Sequence, residues 1–129
     1  MKKLIYFLSF ISTILFCSCE SEMMLDCTVS NSTASTIHVM AYDSIHNIAI
    51  DTTIQSGIQA TLVSWSKLGK SSVKVPVVDL LGNHVVVLNT LGDTLKKDIL
   101  NDANWTKVVE EQRYVANHFY RFDILDSDF

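Results

Sequence analysis

The side chains of this sequence best suited to metal, redox or nucleophilic chemistry are three cysteines and four histidines. Cys17, Cys19 and Cys27 lie close together near the N-terminus, and no cysteine follows them. A spread, even-numbered disulfide framework is therefore not available. The spacing Cys-x-Cys also differs from the Cys-x-x-Cys pairs of zinc and redox sites, and no second pair follows. The cysteines thus indicate a role other than metal or redox chemistry.

The histidines are scattered along the chain. They are His38, His46, His84 and His118. None lies at metal-ligand spacing from another, so the sequence predicts no metal site and no cofactor. The serines lack the Gly-x-Ser-x-Gly elbow of hydrolases, and the closing Asp126 and Asp128 are interpreted as a solvated acidic tail. We expect a protein without catalytic activity; convergence of two or more histidines in a pocket would revive an enzymatic interpretation.

The N-terminal segment is typical of an export signal. Lys2 and Lys3 precede a mostly apolar run over residues 4–16, and small residues follow. A charged start, a short apolar stretch and a small-residue cleavage site define a signal peptide, which we predict over residues 1–18. The run is too short for an ordinary transmembrane helix, which needs about 20 apolar residues.

The end of this segment resembles a bacterial lipobox. In "FCSC", small Ser18 directly precedes Cys19, whereas Cys17 would follow the bulky Phe16. The resemblance implies cleavage before Cys19 and a diacylglyceryl group on its thiol. Two or more acyl chains hold a protein on a membrane durably, whereas a single chain does not. We therefore predict a lipid anchor at Cys19, a tether over residues 19–25 and a folded domain over 26–129.

The charge balance bears on partners. The chain has a net charge of −4, and without residues 1–18 eight basic side chains face fourteen acidic ones, which gives about −6. An acidic chain is a poor ligand for nucleic acid and for anionic lipid. We expect no nucleic-acid partner, and membrane association through a lipid anchor rather than through side-chain charge.

Alternating hydrophobicity and frequent turn residues predict an all-β fold. Strands are predicted within residues 27–35, 36–42, 48–54, 59–65, 73–78, 84–88 and 118–125. About seven short strands in roughly 100 residues describe an immunoglobulin-like or fibronectin-like sandwich, here without the Cys–Trp–Cys pattern of antibody domains. The apolar run His84–Leu88 is predicted as a buried central strand, and Pro76 indicates a strand that lies at a sheet edge or is bulged there. Near 104–112 the spacing of Trp105, Val108 and Val109 indicates a short helix or an irregular loop.

Period-two alternation also assigns faces to the predicted strands. In "TIHVMAY" one face carries Ile37, Val39 and Ala41, and the other carries His38, Met40 and Tyr42. A surface patch of Tyr42 with Trp65 or Trp105 is one interpretation, and burial of these aromatic side chains in the core is the alternative. For Cys27 we expect a small buried hydrophobic side chain.

Several stretches of the chain together resemble a known class of proteins. They are the lipobox, "VSNSTASTIHVMAY", "LGDTLKK", the isolated Trp105 and the closing "YRFDILDSDF". This layout is similar to small outer-membrane lipoproteins of unknown function from gut-type Gram-negative bacteria. The resemblance implies an outer-membrane location and a β-sandwich, and it implies no activity. Acidic residues after the anchor, here Glu20 and Glu22, mark export to the cell surface in such lipoproteins; a solvated linker in a periplasm-facing protein is the alternative.

The same resemblance suggests O-linked glycans at Asp-Ser or Asp-Thr followed by an apolar residue or Thr. The sequence has three such sites, at Ser44, Thr52 and Thr94. Thr52 shares a predicted face with Ile50 and Ile54 and should point inward, whereas Ser44 and Thr94 fall in turns. Ser44 and Thr94 are therefore the predicted glycosylation sites. The alternative is that these residues are simply turn formers.

These observations favour a lipid-anchored, non-catalytic binding or accessory module for a protein or glycan partner. The alternative is a structural or assembly subunit of a surface fibre or envelope complex, joined by strand addition. An unpaired, uncharged edge strand would favour that alternative.

Overall fold

The computed structural model describes residues 20–43 and 47–129 of the chain. Its described residues form seven β-strands, one short helix and two 3-10 turns. The strands are Glu22–Asn31 (β1), Ile37–Asp43 (β2), Ile48–Ile54 (β3), Gln59–Leu68 (β4), Val85–Asn89 (β5), Thr106–Glu111 (β6) and Val115–Ile124 (β7). The helix is Val78–Leu81 (α1), and the 3-10 turns are Asp102–Asn104 and Asp126–Asp128.

The strands form two sheets, with the order β4-β1-β7-β6 in the larger and β3-β2-β5 in the smaller. All neighbours are antiparallel except β1 and β7, which run parallel at the centre of the larger sheet. The prediction of an all-β sandwich of about seven strands is therefore confirmed. The connectivity differs from that of an immunoglobulin constant domain: there the first strand shares a sheet with the second, fourth and fifth, whereas here β1 shares a sheet with β4, β6 and β7.

One hydrophobic core lies between the two sheets. Alternate residues of each strand point inward, because successive side chains of a strand face opposite sides of its sheet. The core residues of the central strands are Met23, Leu25, Cys27 and Val29 of β1, Ile37 and Val39 of β2, and Tyr120, Phe122 and Ile124 of β7. Burying one such large apolar side chain contributes about 1.5–3 kcal/mol, so this shared core is what joins the sheets.

The folded domain begins earlier than predicted. Strand β1 begins at Glu22, and Met23 and Leu25 are fully buried members of the core. The predicted tether over 19–25 and domain over 26–129 therefore place their boundary too late. The physical reason is that the alternation of Cys27 and Val29 continues backwards through Leu25 and Met23, while the intervening Met24 and Asp26 point away from the core.

The helix or irregular loop predicted near 104–112 is instead strand β6, preceded by the 3-10 turn Asp102–Asn104. The side chain of Asn101 caps this turn by accepting a hydrogen bond from the Ala103 N–H at 3.0 Å. The helical signal is thus real but lasts three residues. Pairing with β7 then outweighs the helical spacing of the valines that follow.

Two further strand predictions change. Residues 73–78, around Pro76, form no strand; they run irregularly into α1. Side chains satisfy their backbone instead, since the Val75 N–H donates to the Tyr120 hydroxyl at 2.7 Å and the Val77 N–H to Asp102 Oδ1 at 2.9 Å. Strand β5 is an edge strand rather than a buried central one, so its outward Val86 is exposed.

Candidate functional site

Two of the predicted modification sites, Cys19 and Ser44, lie outside the described residues. The third, Thr94, is exposed and forms an isolated bridge with Leu88 beside the hairpin that follows β5. Thr52 is half-buried and lies on the inner face of β3, as predicted from its alternation with Ile54. Thr94 is therefore accessible to a modifying enzyme, and Thr52 is much less so.

Cys27 is a buried hydrophobic side chain, as predicted. It is a free cysteine, fully buried on the inner face of β1. Burial raises the pKa of its thiol to about 12, although the nearby charge of Lys107 opposes this effect. Because the thiolate is the reactive form, Cys27 is chemically inert in the folded protein.

Folding does not bring the described histidines together. His118 is buried, and its Nε2 lies 2.7 Å from the Ser71 carbonyl oxygen. His38 is half-exposed on β2, where its Nε2 lies 2.5 Å from Asp51 Oδ1, and His84 is exposed before β5. Within residues 20–43 and 47–129, no three His, Cys, Asp or Glu side chains form a group that could hold a metal ion.

The two tryptophans do not form a surface patch. Trp105 is buried, donates its Nε1–H to the Ile99 carbonyl oxygen at 2.7 Å and packs on Phe122 with 5.2 Å between ring centroids. Trp65 is half-buried against the core. Tyr42, in contrast, is 64% exposed. Of the three aromatic residues considered from the sequence, only Tyr42 is available to a partner.

Tyr42 belongs to the outer surface of the smaller sheet, which we call the small-sheet face. The face has a shallow depression of about 390 Å³. Its lining comprises Met40, Ala41 and Tyr42 of β2, Ala49, Ile50 and Asp51 of β3, and His84 and Val86 at β5. The predicted outward direction of His38, Met40 and Tyr42 is confirmed, because Ile37, Val39 and Ala41 alternate with them inside the core.

Strand register brings these side chains together. Met40 lies opposite Asp51 on one side and Val86 on the other, so it occupies the middle of the small-sheet face. Tyr42 lies opposite Ala49, a small residue that leaves one side of the phenol ring uncovered. The sequence signal for this face was the alternation of β2; the contributions of β3 and β5 depend on register, which the sequence does not reveal.

The chemistry of the small-sheet face is that of a recognition surface. Apolar Met40 and Val86 form its centre, and Tyr42 adds an aromatic ring. Polar groups at the rim come from Asp51, which is hydrogen-bonded to the neighbouring His38, and from His84. An apolar centre with aromatic side chains and a polar rim is the usual composition of a protein-binding surface. Pockets with few, fixed polar groups around apolar walls also bind small ligands such as sugars.

A second, more polar depression of about 340 Å³ lies on the outer face of the larger sheet. Its exposed apolar side chains, Val108 and Phe119, lie opposite each other on β6 and β7. Arg121 beside them pairs with Asp123 at 3.2 Å. Val108 and Val86 are similarly exposed, at 46% and 43%, so this surface offers a matched comparison for the small-sheet face.

No protein-family model, curated protein or solved structure matches this chain. The two sheets define the fold class of the protein as an all-β sandwich. Over the part of the chain that is described, no helix has the length and apolar character needed to cross a membrane.

Proposed function

We propose that this protein is a lipid-anchored, non-catalytic extracytoplasmic β-sandwich that binds a protein or glycan partner. The observation that carries the binding part is the small-sheet face, where Met40, Tyr42 and Val86 expose a continuous apolar and aromatic surface. Large apolar side chains clustered on a surface, with polar groups around them, typically mark an interaction site. The signal segment and the lipobox ending at Cys19 support the anchor.

The proposed location is the outer membrane, with the sandwich exposed at the cell surface. The acidic residues Glu20 and Glu22 after the anchor support surface export, and a periplasm-facing protein is the alternative. The net charge near −6 of the chain after residue 18 supports a partner other than nucleic acid.

Metabolic labelling with palmitate in a bacterial host tests the anchor. Cys19→Ala should abolish incorporation, because its thiol is the proposed acylation site, whereas Cys17→Ala should label like the wild type. Labelling of Cys19→Ala together with loss of label in Cys17→Ala would show that the lipid is on Cys17 and not on Cys19. No label in any of the three proteins would remove the anchor altogether.

Binding is tested with glycan arrays and with cross-linking capture from the native envelope. Tyr42→Ser and Val86→Ser should each lower capture of the partner about tenfold or more, since removing an interfacial anchor residue typically costs at least about 1–2 kcal/mol. Val108→Ser, which changes an equally exposed valine on the other sheet, is the matched control and should bind normally. Equal losses in all three variants, or no partner by either method, would refute the proposed site.

The alternative function, an assembly subunit joined by strand addition, is supported by strand β3. It is the outer strand of the smaller sheet, and Asp51 is its single charged residue. The other sheet edges are better protected: β4 has a bulge at Leu62, β6 carries three charged residues, and Leu95 donates its N–H to the Val87 carbonyl oxygen of β5. Uncharged edge strands are templates for pairing with another chain.

Substitution of an outward β3 residue separates the two functions. Thr53→Lys adds a charge to the exposed edge strand, and Thr53 lies opposite His38 rather than Tyr42. If the protein assembles through β3, Thr53→Lys should abolish higher-order species in cross-linked envelopes, while Tyr42→Ser should leave them intact. The opposite pattern would favour binding through the small-sheet face.

We also propose O-glycosylation at Ser44 and Thr94. Exposure of Thr94 supports the second site. The intact mass of the native lipoprotein should exceed that of the lipidated chain by whole sugar units, and Thr94→Ala should remove one glycan. A mass that lipid alone explains would mean that the Asp-Ser and Asp-Thr pairs are only turn formers.

A further inference from the structure

The start of β1 is fixed at one end of the sandwich, which we call the proximal end and define by residues 20–22, 66–74 and 110–115. The carbonyl oxygen of Ser21 accepts the Gly69 N–H at 2.8 Å, and its hydroxyl oxygen accepts the Lys70 N–H at 3.0 Å. The next residue, Glu22, donates its N–H to the Tyr114 carbonyl oxygen at 2.7 Å. The incoming chain is therefore held from Ser21 onward.

Very little chain remains between this fixed point and the proposed lipid. Cys19 is two residues before Ser21, and two residues span at most about 7 Å. The headgroup layer on each side of a bilayer is roughly 5–8 Å thick. Because the acyl chains of an anchored Cys19 would lie in the hydrocarbon, the proximal end cannot stand clear of the headgroups.

The side chains around this point suit such a contact. Leu68 is 70% exposed and Val73 is 75% exposed, on either side of the two residues that hold Ser21. Tyr114 is partly exposed, and the Arg113 guanidinium carbon lies 5.1 Å from the centre of its ring. Aromatic and basic side chains of this kind concentrate at membrane–water interfaces, where the ring is partly apolar and the charge reaches water or phosphate.

Charge is distributed unevenly between the proximal end and the remainder of residues 20–129. The proximal end has four basic side chains, which are Lys67, Lys70, Lys74 and Arg113. All four glutamates of the chain also lie there, so the charges at this end balance. The remainder has ten aspartates against four basic side chains, a net charge of −6. A negative membrane surface therefore repels the remainder and leaves the proximal end facing the lipid.

From the short connection, the exposed apolar side chains and the charge distribution, we infer that the proximal end rests directly on the phospholipid headgroups, with Leu68, Val73 and Tyr114 in contact with lipid. This inference rests on the proposed anchor at Cys19. Strand β1 then runs away from the membrane, and its ten residues place the opposite end about 30 Å from the bilayer. The protein stands upright on its anchor instead of swinging on a long tether.

Single-cysteine fluorescence on the full lipoprotein tests this orientation. Leu68→Cys carries an NBD fluorophore at the proximal end, and Leu91→Cys, 85% exposed in the hairpin after β5, is the matched control. Cys27 is buried and stays unlabelled, the Cys19 thiol is acylated, and Cys17 leaves with the signal peptide. Each labelled protein is reconstituted into phosphatidylcholine vesicles and separated by flotation. A second vesicle set contains phosphatidylcholine with a doxyl quencher near the headgroup end of its acyl chain.

NBD at position 68 should show blue-shifted emission and roughly twofold quenching by the doxyl lipid, and NBD at position 91 should show neither. Proteins that float but have both fluorophores in water would overturn the contact while leaving the anchor intact. A blue shift at position 68 without doxyl quenching would also overturn it, since burial would then be against protein, such as a second copy. Failure to float would instead refute the anchor, and with it this inference. Continued resistance of Cys27 to labelling verifies that both variants are folded.

Discussion

The two ends of the sandwich are stabilised by different interactions. At the distal end, which we define by residues 31–35, 55–58 and 124–129, a dense set of hydrogen bonds joins three parts of the chain. Ser32 donates its N–H to the Ile124 carbonyl oxygen, Ala34 to Asp126 Oδ1, and Gly57 to the Asn31 carbonyl oxygen, at 2.8–3.0 Å. At the proximal end, large apolar side chains are exposed around the start of β1.

Asn31 is the centre of the distal hydrogen bonds. It is fully buried, its amide donates to the carbonyl oxygens of Ser35 at 2.8 Å and Ile54 at 2.9 Å, and its Oδ1 accepts the N–H and the hydroxyl of Thr33. The C-terminal residues close over the same end, and the predicted solvated tail is wrong in this respect. Asp128 Oδ2 accepts the Leu125 N–H at 2.9 Å, and Lys96 Nζ donates to the carbonyl oxygen of Phe129.

The two ends of the sandwich therefore contribute differently to the protein. Buried, satisfied hydrogen bonds specify one arrangement of loops and make the distal end expensive to open. Exposed leucine, valine and tyrosine side chains add little to folding, and the membrane contact that we propose would account for their arrangement around Ser21. The distal end therefore contributes stability, and the proposed role of the proximal end is to orient the protein at the membrane.

The largest expected effect is on the distal end. Asn31→Ala removes the acceptor of the buried Thr33 N–H and a buried donor to the Ile54 carbonyl oxygen, and we expect the free energy of unfolding to fall by about 3 kcal/mol. Asn89→Ala is the control, because Asn89 also accepts two backbone N–H groups, from Leu91 and Asp93, but in an exposed hairpin. Its cost should be about 0.5–1 kcal/mol, since water replaces the lost bonds. Urea unfolding of the two variants and the wild type, followed by fluorescence, measures both losses; equal losses would contradict the comparison.

The second prediction uses Cys27 as an internal reporter of opening. Burial raises the pKa of this thiol to about 12, so the native protein should resist thiol reagents at pH values near 8 and react only when the sandwich opens. Asn31→Ala should increase the labelling rate about 100-fold, since each 1.4 kcal/mol is a factor of ten. Rapid labelling of native wild-type protein would mean that Cys27 is not enclosed as described.

The core was predictable from the sequence where the apolar–polar alternation within a single strand identifies its inward side chains. The alternation of β2 assigns Ile37 and Val39 to one side of their sheet, and these residues are buried. The same alternation continues through Met23 and Leu25 of β1, but the acidic residues beside them favour the incorrect prediction of a tether there. Local propensity also failed at β6, because pairing with β7 is a long-range interaction that the spacing of Val108 and Val109 cannot reveal.

The candidate site was less predictable than the core. Tyr42 was considered from its outward position on β2, but its neighbours Asp51 and Val86 come from strands on either side of β2. Which strands are neighbours depends on topology, and which residues lie opposite depends on register. The proximal end was equally difficult to predict from the sequence, because Ser21, Leu68 and Tyr114 meet only through the pairing of β1 with β4 and β7.

A smaller, local effect is expected at the proximal end. His118 is buried, and its Nε2 lies 2.7 Å from the Ser71 carbonyl oxygen, while its buried Nδ1 has no hydrogen-bond partner within the described residues. His118→Phe removes one hydrogen bond and one unsatisfied nitrogen, so the free energy of unfolding should fall by about 1 kcal/mol or less. Amide exchange should accelerate in residues 67–74 and stay unchanged in the loop at Asn31. Faster exchange at both ends would show that the two ends are not independent.

The smallest expected effect is electrostatic and belongs to Glu111. A hydrogen bond from Lys70 is the main reason that the pKa of Glu111 lies below its usual value, helped by a hydrogen bond from Ser72 and by the charge of Lys70. Lys70 Nζ lies 3.2 Å from Glu111 Oε2 and also donates to the Gln112 carbonyl oxygen at 2.8 Å. Because the folded-state pKa is lowered, this contribution is complete above the usual glutamate range and is lost as the pH falls through the lowered value.

Nitrogen–proton NMR of the Gly69 and Lys70 amides can follow this contact during acid titration. In the wild type these resonances should move at a pH below the ordinary glutamate range, because the pKa of Glu111 is lowered. Glu111→Gln should remove the transition, and Glu110→Gln, at the adjacent exposed glutamate, should keep it. A wild-type midpoint in the ordinary glutamate range, or a transition that survives Glu111→Gln, would mean that the Lys70–Glu111 contact does not control these amides. The proximal end would then be held by its backbone contacts, such as the one from the Glu22 N–H to the Tyr114 carbonyl oxygen.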